Sequence, residues 1–231
     1  MEKIRTNKQK LLYLIVAMTV CTAAMCVVDM IVQPGYIWKS LTKIILFACF
    51  IGGYTLVYKE ERKTFVKLFI PNWKGLLLSV GAGMVLYGII LGAYFLLRNS
   101  FDFSGITSKL TADAGVSAEN FVFVSLYISI VNSFLEEMFF RGFGFICLKK
   151  NANRIFAYVL SALLFSVYHG GMTAGYYNIG IFLLTLAALF IAGLFFNFIN
   201  EQSENIYASW TIHIFANLGI NTVGMILFGI I

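Results

Sequence analysis

The stretch Phe134-Leu135-Glu136-Glu137-Met138-Phe139-Phe140-Arg141 decides how this chain is read. It sets two adjacent carboxylates and a guanidinium in a run that is apolar on both flanks. At least one more helical turn of apolar residues, Phe143 to Leu148, precedes Lys149 and Lys150. A charged side chain at mid-bilayer costs at least ~2.5–3.5 kcal/mol on insertion scales, and neighbouring carboxylates repel each other. A helix end reaching into the cytosol would leave the same groups merely solvated. The apolar turn beyond them favours the membrane interior, and charges kept there point to chemistry.

The rest of the chain supports a membrane setting. Of 231 residues, 60 % are hydrophobic and 12 % charged, against roughly 25 % charged in soluble domains. Runs near the ~20 apolar residues that span a bilayer recur along the sequence. They cover roughly 11–31, 41–58, 75–97, 123–148, 155–169, 179–198 and 208–230. The expected fold is an all-α polytopic membrane protein of about seven transmembrane helices, one integral domain over residues 1–231. The first run is longer than a signal-peptide core and lacks a clear small-residue cleavage site, so it reads as a retained anchor. Cys21, Cys26, Cys49 and Cys147 fall in or beside apolar segments without metal-type spacing, and read as small buried hydrophobes.

The net charge of +6 is not a nucleic-acid footprint. Lys3, Arg5, Lys8, Lys10, Lys59, Arg62, Lys63, Lys67, Lys74, Lys149, Lys150 and Arg154 fall on one side of the alternating spans, twelve of the 17 Lys and Arg. The other side holds Lys39, Arg98 and Lys109, with Lys43 near a helix end. The positive-inside rule then puts the N-terminus in the cytosol and the last helix end outside. Asp29 is expected to snorkel to water, and Trp38, Trp73 and Trp210 to anchor at interfaces. Residues 99–120 form the longest polar stretch, with a short helix around 107–114; they read as a connector, the alternative being a cap over the membrane core.

Only two histidines occur, both in predicted spans. His169 follows Phe165 by four residues and His213 precedes Asn217 by four, so each pair shares a helix face. At 1.5 Å rise per residue, Glu136, His169 and His213 stand about 20, 22 and 18 Å from the basic or acidic residues at their helix ends. The matched depths allow one cluster. Glu137 and Arg141 are spaced i,i+4 with the acid first, which favours an ion pair. Glu136 then points about 100° away, towards the histidines. It suits a general base there, and one oxygen with two imidazole nitrogens also suits zinc.

Glu136-Glu137-x-x-x-Arg141, Phe165-x-x-x-His169 and His213-x-x-x-Asn217, in this order on separate helices, resemble the CAAX protease and bacteriocin-processing family of intramembrane proteases, also called the Abi family. The resemblance covers roughly residues 121–220. It implies a helical core with a polar cavity open to the cytosol, and endoproteolysis of a membrane-associated peptide or protein: a prenylated CAAX-type chain, a bacteriocin or a pheromone. By motif position, Glu136 and His169 would activate water, His213 and Asn217 would stabilise an oxyanion, and Glu137, Arg141 and Phe165 would support the site. Zinc and metal-free glutamate mechanisms both remain open; Asn217 suits an oxyanion donor better than a zinc ligand, which favours the glutamate. No feature marks prenylated substrates, so a peptide or protein of a bacterial plasma membrane is expected. His-Glu-x-x-His, Gly-x-Gly-Asp and Gly-x-Ser-Gly are absent, which disfavours other intramembrane proteases. The rival reading is a non-proteolytic scaffold, regulator or bacteriocin immunity protein. A transporter fits less well, since the chain shows no repeat symmetry and no paired broken helices.

Overall fold

The structure is a computed structural model that describes residues 2–71, 73–100, 103–175 and 179–231. Helix α1 runs over Glu2–Val27 and ends in a wider π-type turn at Val28–Val32. There follow α2 (Tyr36–Val57), α3 (Lys59–Lys67), α4 (Trp73–Leu97), α5 (Ser104–Ala114) and the long α6 (Phe121–Asn151). The chain closes with α7 (Arg154–Thr173), α8 (Ile179–Ser203) and α9 (Tyr207–Leu227). Among the described residues, seven helices are long and apolar enough to cross a membrane, as the hydropathy pattern predicts. They are α1, α2, α4, α6, α7, α8 and α9.

α6 is the axis of the bundle. From Phe139 to Leu148 every residue is buried, so neighbours surround this half of the helix completely. Its backbone bonding widens to the π pattern at Ile128–Asn132 and again at Glu137–Cys147, a departure found mostly at functional sites. α9 packs along α4 and α8 along α7. Without a hydrophobic drive between helices in lipid, close packing of small residues carries such contacts. At Gly193 of α8 a Cβ would sit 2.9 Å from Ala162 Cα and Cβ of α7, and at Gly83 it would meet the Phe215 ring at 2.4 Å. The outer faces stay apolar: Leu77, Leu78 and Leu96 of α4 are exposed, as lipid-facing side chains should be.

Five sequence expectations change. Cys49 is exposed on the outer face of α2 rather than buried. α2 starts at Tyr36, a turn before the apolar run, so Lys43 lies well inside the helix and is buried. The two lysines made that turn look like a loop. Asp29 does not snorkel; its side chain is 1 % exposed because Lys39 closes over it as an ion pair. Trp38 and Trp73 are exposed as interface anchors should be, but Trp210 is half-buried and donates from Nε1 to Ile130 O and Ser133 Oγ, both at 3.1 Å. The polar stretch after α4 is more than a connector. Phe103, Ile106 and Leu110 on and beside α5, with Val116, turn inward and roof a cavity.

Candidate active site

The site forms where α2, α6, α7 and α9 converge. Glu136 and Glu137 leave α6 in different directions, each fully buried. Glu137 faces α9 and the next turn of its own helix: Oε1 is 3.0 Å from His213 Nδ1 and 3.2 Å from Arg141 Nη1. The i,i+4 pair expected from the sequence is present. Arg141 is also held between two rings, its guanidinium carbon 3.9 Å from the Phe165 centroid and 4.9 Å from that of Phe196. Ring faces attract a desolvated guanidinium, so Phe165 supports the cation.

Glu136 points the other way, and its two oxygens have different surroundings. Oε1 accepts from Asn132 Nδ2 at 2.8 Å and Tyr168 OH at 2.9 Å, with Lys43 Nζ at 3.4 Å. The same Lys43 ammonium donates to Asn132 Oδ1. Oε2 accepts no hydrogen bond from any described group; it faces His169 Nε2 at 3.5 Å and His213 Nε2 at 3.8 Å. One oxygen is anchored and the other is presented.

The histidines are oriented through their far nitrogens. His169 Nδ1 lies 2.9 Å from Phe165 O, where only an N–H donor fits, and this explains the Phe-x-x-x-His spacing. His213 Nδ1 is bound by the Glu137 carboxylate. In the neutral rings both Nε2 atoms therefore present lone pairs towards Glu136 Oε2. Glu136, His169 and His213 can each offer one ligand atom, all within 4.8 Å of one another. Imidazoles that donate their second nitrogen to a carbonyl and a carboxylate are what a zinc site requires around its ligands. The donor set fits a divalent metal as well as a water molecule.

Above this centre lies a cavity of about 540 Å³, lined mostly by apolar side chains together with Tyr36, Lys39, Lys43, Asn132, Asn217 and Asn221. Asn217 reaches it from α9, one turn beyond His213, with Nδ2 donating to Ile128 O at 3.2 Å. The structure thus brings Glu136, His169 and His213 together, puts Asn217 on the wall of the same cavity, and sets Glu137, Arg141 and Phe165 beneath it.

Three residues at the site escaped the sequence reading. Asn132 precedes Glu136 by four residues, and that polar i,i+4 pair in an apolar run was a usable signal. Tyr168 adjoins His169 but read as one more aromatic. Lys43 gave no signal beyond a lone charge in an apolar run. Replacing Lys43 with Met keeps the stem and removes the ammonium, freeing Asn132 and Glu136 to shift. Lys43→Met is expected to lower stability by about 3–5 kcal/mol, the cost of leaving the Glu136 charge without its buried partner, and Lys43→Arg to recover part of it. Unchanged thermal unfolding of Lys43→Met in detergent would show that Glu136 needs no counter-charge.

Fold and centre together define an integral membrane protein with a buried carboxylate–imidazole site. Residues 118–219, a little under half of the chain, match the family model described as type II CAAX prenyl endopeptidase Rce1-like. This is the family that the three motifs resemble, and at family level the match supports an intramembrane protease of CAAX type. No curated protein and no solved structure matches the chain.

Proposed function

We propose that the protein is an intramembrane endopeptidase in which Glu136 activates water against a peptide bond of a membrane-associated peptide or protein. The observation that carries this reading is the division of labour on Glu136: Oε1 held by three donors, Oε2 turned to two imidazole nitrogens. A water donating its two hydrogens to Glu136 Oε2 and His169 Nε2 would have its oxygen lone pair free to attack a carbonyl carbon. As the C–O bond forms, Glu136 takes the water proton. The carbonyl oxygen gains charge, which the second N–H of Asn217 Nδ2 can stabilise. His213, held through Nδ1 by Glu137, stands on the other side of Glu136 Oε2. Collapse of the intermediate breaks the C–N bond, and the proton held by Glu136 passes to the leaving amine.

Should zinc be resident, Glu136, His169 and His213 would hold it, and it would supply Lewis-acid activation of water or carbonyl. The roles of Glu137 in orienting His213 and of the Lys43–Asn132–Tyr168 set in fixing Glu136 are the same in either case. The second reading, a scaffold or immunity protein, is favoured only by the role of the same groups in holding the helices together.

The two readings separate in host membranes. Membrane and secreted peptides are compared by mass spectrometry between strains with the wild-type chain, with Glu136→Gln and without the chain, protein levels being matched. A fragment present only with the wild type supports the protease and names its substrate. If Glu136→Gln matches wild type in every peptide and restores what the null strain lost, the scaffold reading replaces it.

A further inference from the structure

We infer that the substrate reaches Glu136 from the extracytosolic side of the membrane, as an exported peptide or an outward-facing segment of a membrane protein. This rests on the proteolytic reading of the site and goes beyond it. It also departs from the cytosol-facing cavity that the family resemblance implies.

The bundle is hollow on one side of the carboxylate and solid on the other. The cavity wall comes from Tyr36 to Lys43 at the start of α2, Ile90 to Leu97 at the end of α4, and Phe121 to Asn132 at the start of α6. Met172 and Thr173 at the end of α7 and Ile220 to Leu227 at the end of α9 complete it. In seven alternating spans all of these ends lie on the face opposite the start of α1. α5, which joins α4 to α6 on that same face, forms the roof.

Towards the other face there is no such space. Phe139, Phe140, Phe143, Phe165 and Phe196 are buried around Arg141, and α6 is buried without a break down to Leu148. Lys149 and Arg154 then pair with Glu201, while Lys10 pairs with Glu60 and Glu61, tying the helix ends together over this plug. A peptide cannot reach Glu136 through close-packed aromatic side chains without unfolding them.

The sealed face also carries the basic residues. Twelve of the 17 Lys and Arg lie at helix ends or loops there, and such an excess marks the cytosolic side. In this fold a cytosolic N-terminus and a cytosol-facing cavity exclude each other, and charge distribution selects the N-terminus. The chemistry of the cavity agrees with a peptide guest. Its walls are apolar and its roof is a short helix lying outside the seven spans, while the two lysines on its wall, Lys39 and Lys43, are matched by Asp29 and Glu136.

The test is cysteine accessibility in intact host cells with a membrane-impermeant sulfonated maleimide, read against the wild-type chain, whose own four cysteines set the background. Ser40→Cys probes the cavity wall and Arg62→Cys probes α3 on the sealed face. Both variants are first checked for wild-type insertion level and a single detergent-extracted species. Ser40→Cys is expected to label to the same extent before and after permeabilisation, and Arg62→Cys only after it. The reverse pattern overturns the inference and turns the cavity to the cytosol. Labelling of Arg62→Cys after permeabilisation with none of Ser40→Cys under either condition also overturns it, because the cavity would then be closed to water. Labelling needs no turnover, so it fails only if the topology is wrong; absence of hydrolysis in the Glu136→Gln comparison would remove the proteolytic reading instead.

Discussion

Glu136→Gln in purified, reconstituted protein is expected to lose hydrolysis by about 10²–10⁴-fold, the range that a positioned general base contributes, while the protein keeps its fold. The geometry separates the two effects. A glutamine oxygen placed at the Oε1 position still accepts from Asn132 Nδ2, Tyr168 OH and Lys43 Nζ. The amide nitrogen takes the Oε2 position and faces His169 and His213 Nε2, where it can donate. The hydrogen-bond set is therefore filled, and only the capacity to take a proton is lost. Thermal unfolding in detergent, followed beside turnover, checks this. Glu136→Ala is the contrast, because it strands Tyr168 OH and Asn132 Nδ2 without their acceptor and leaves Lys43 without its counter-charge, and an unmade buried hydrogen bond costs ~1–3 kcal/mol. Turnover by Glu136→Gln at the wild-type rate would refute the role of the carboxylate. Loss of turnover together with early unfolding of Glu136→Gln would refute the claim that glutamine fills the bonding set.

The sequence made the charged cluster legible because buried charge is expensive in lipid. Glu136, Glu137, Arg141, His169 and His213 stand out against apolar neighbours, and helical spacing alone sorts Glu137 with Arg141 and turns Glu136 elsewhere. The structure bears out both relations. Span positions were legible for the same reason, since hydropathy is the property a bilayer selects. What the sequence hid depends on pairing between distant segments. Lys43 looked like a helix end because nothing local shows that Asn132 and Glu136, roughly ninety positions on, complete its bonds. Asp29 looked solvated because its partner, Lys39, lies across a turn. The direction of the cavity was beyond reach for a different reason. It depends on which half of each helix is packed, and the same apolar residues serve for packing against protein and for facing lipid.

Arg141→Met is expected to destabilise the protein by about 3–5 kcal/mol, the cost of leaving one member of a buried ion pair uncompensated. The argument starts from a charge balance. The site holds two carboxylates, Glu136 and Glu137, and two basic side chains, Lys43 and Arg141; with all four charged and the imidazoles neutral it sums to zero at bilayer depth. Each carboxylate has its own cation: Lys43 lies 3.4 Å from Glu136 and Arg141 3.2 Å from Glu137. Methionine fills the slot between Phe165 and Phe196 but leaves the Glu137 charge with hydrogen bonds to neutral groups, His213 and Ser209, and no cation. Adding Glu137→Gln removes the stranded charge and keeps an acceptor for His213 Nδ1, so the double variant is expected to regain much of the stability, as replaced buried ion pairs generally do. Arg141→Lys should recover less, because a compact ammonium cannot lie flat between two rings as a guanidinium does. Thermal unfolding of the three variants in one detergent decides the matter. Wild-type stability in Arg141→Met would mean that Glu137 needs no counter-charge. A double variant no better than the single would locate the role of Arg141 in its contacts with the rings.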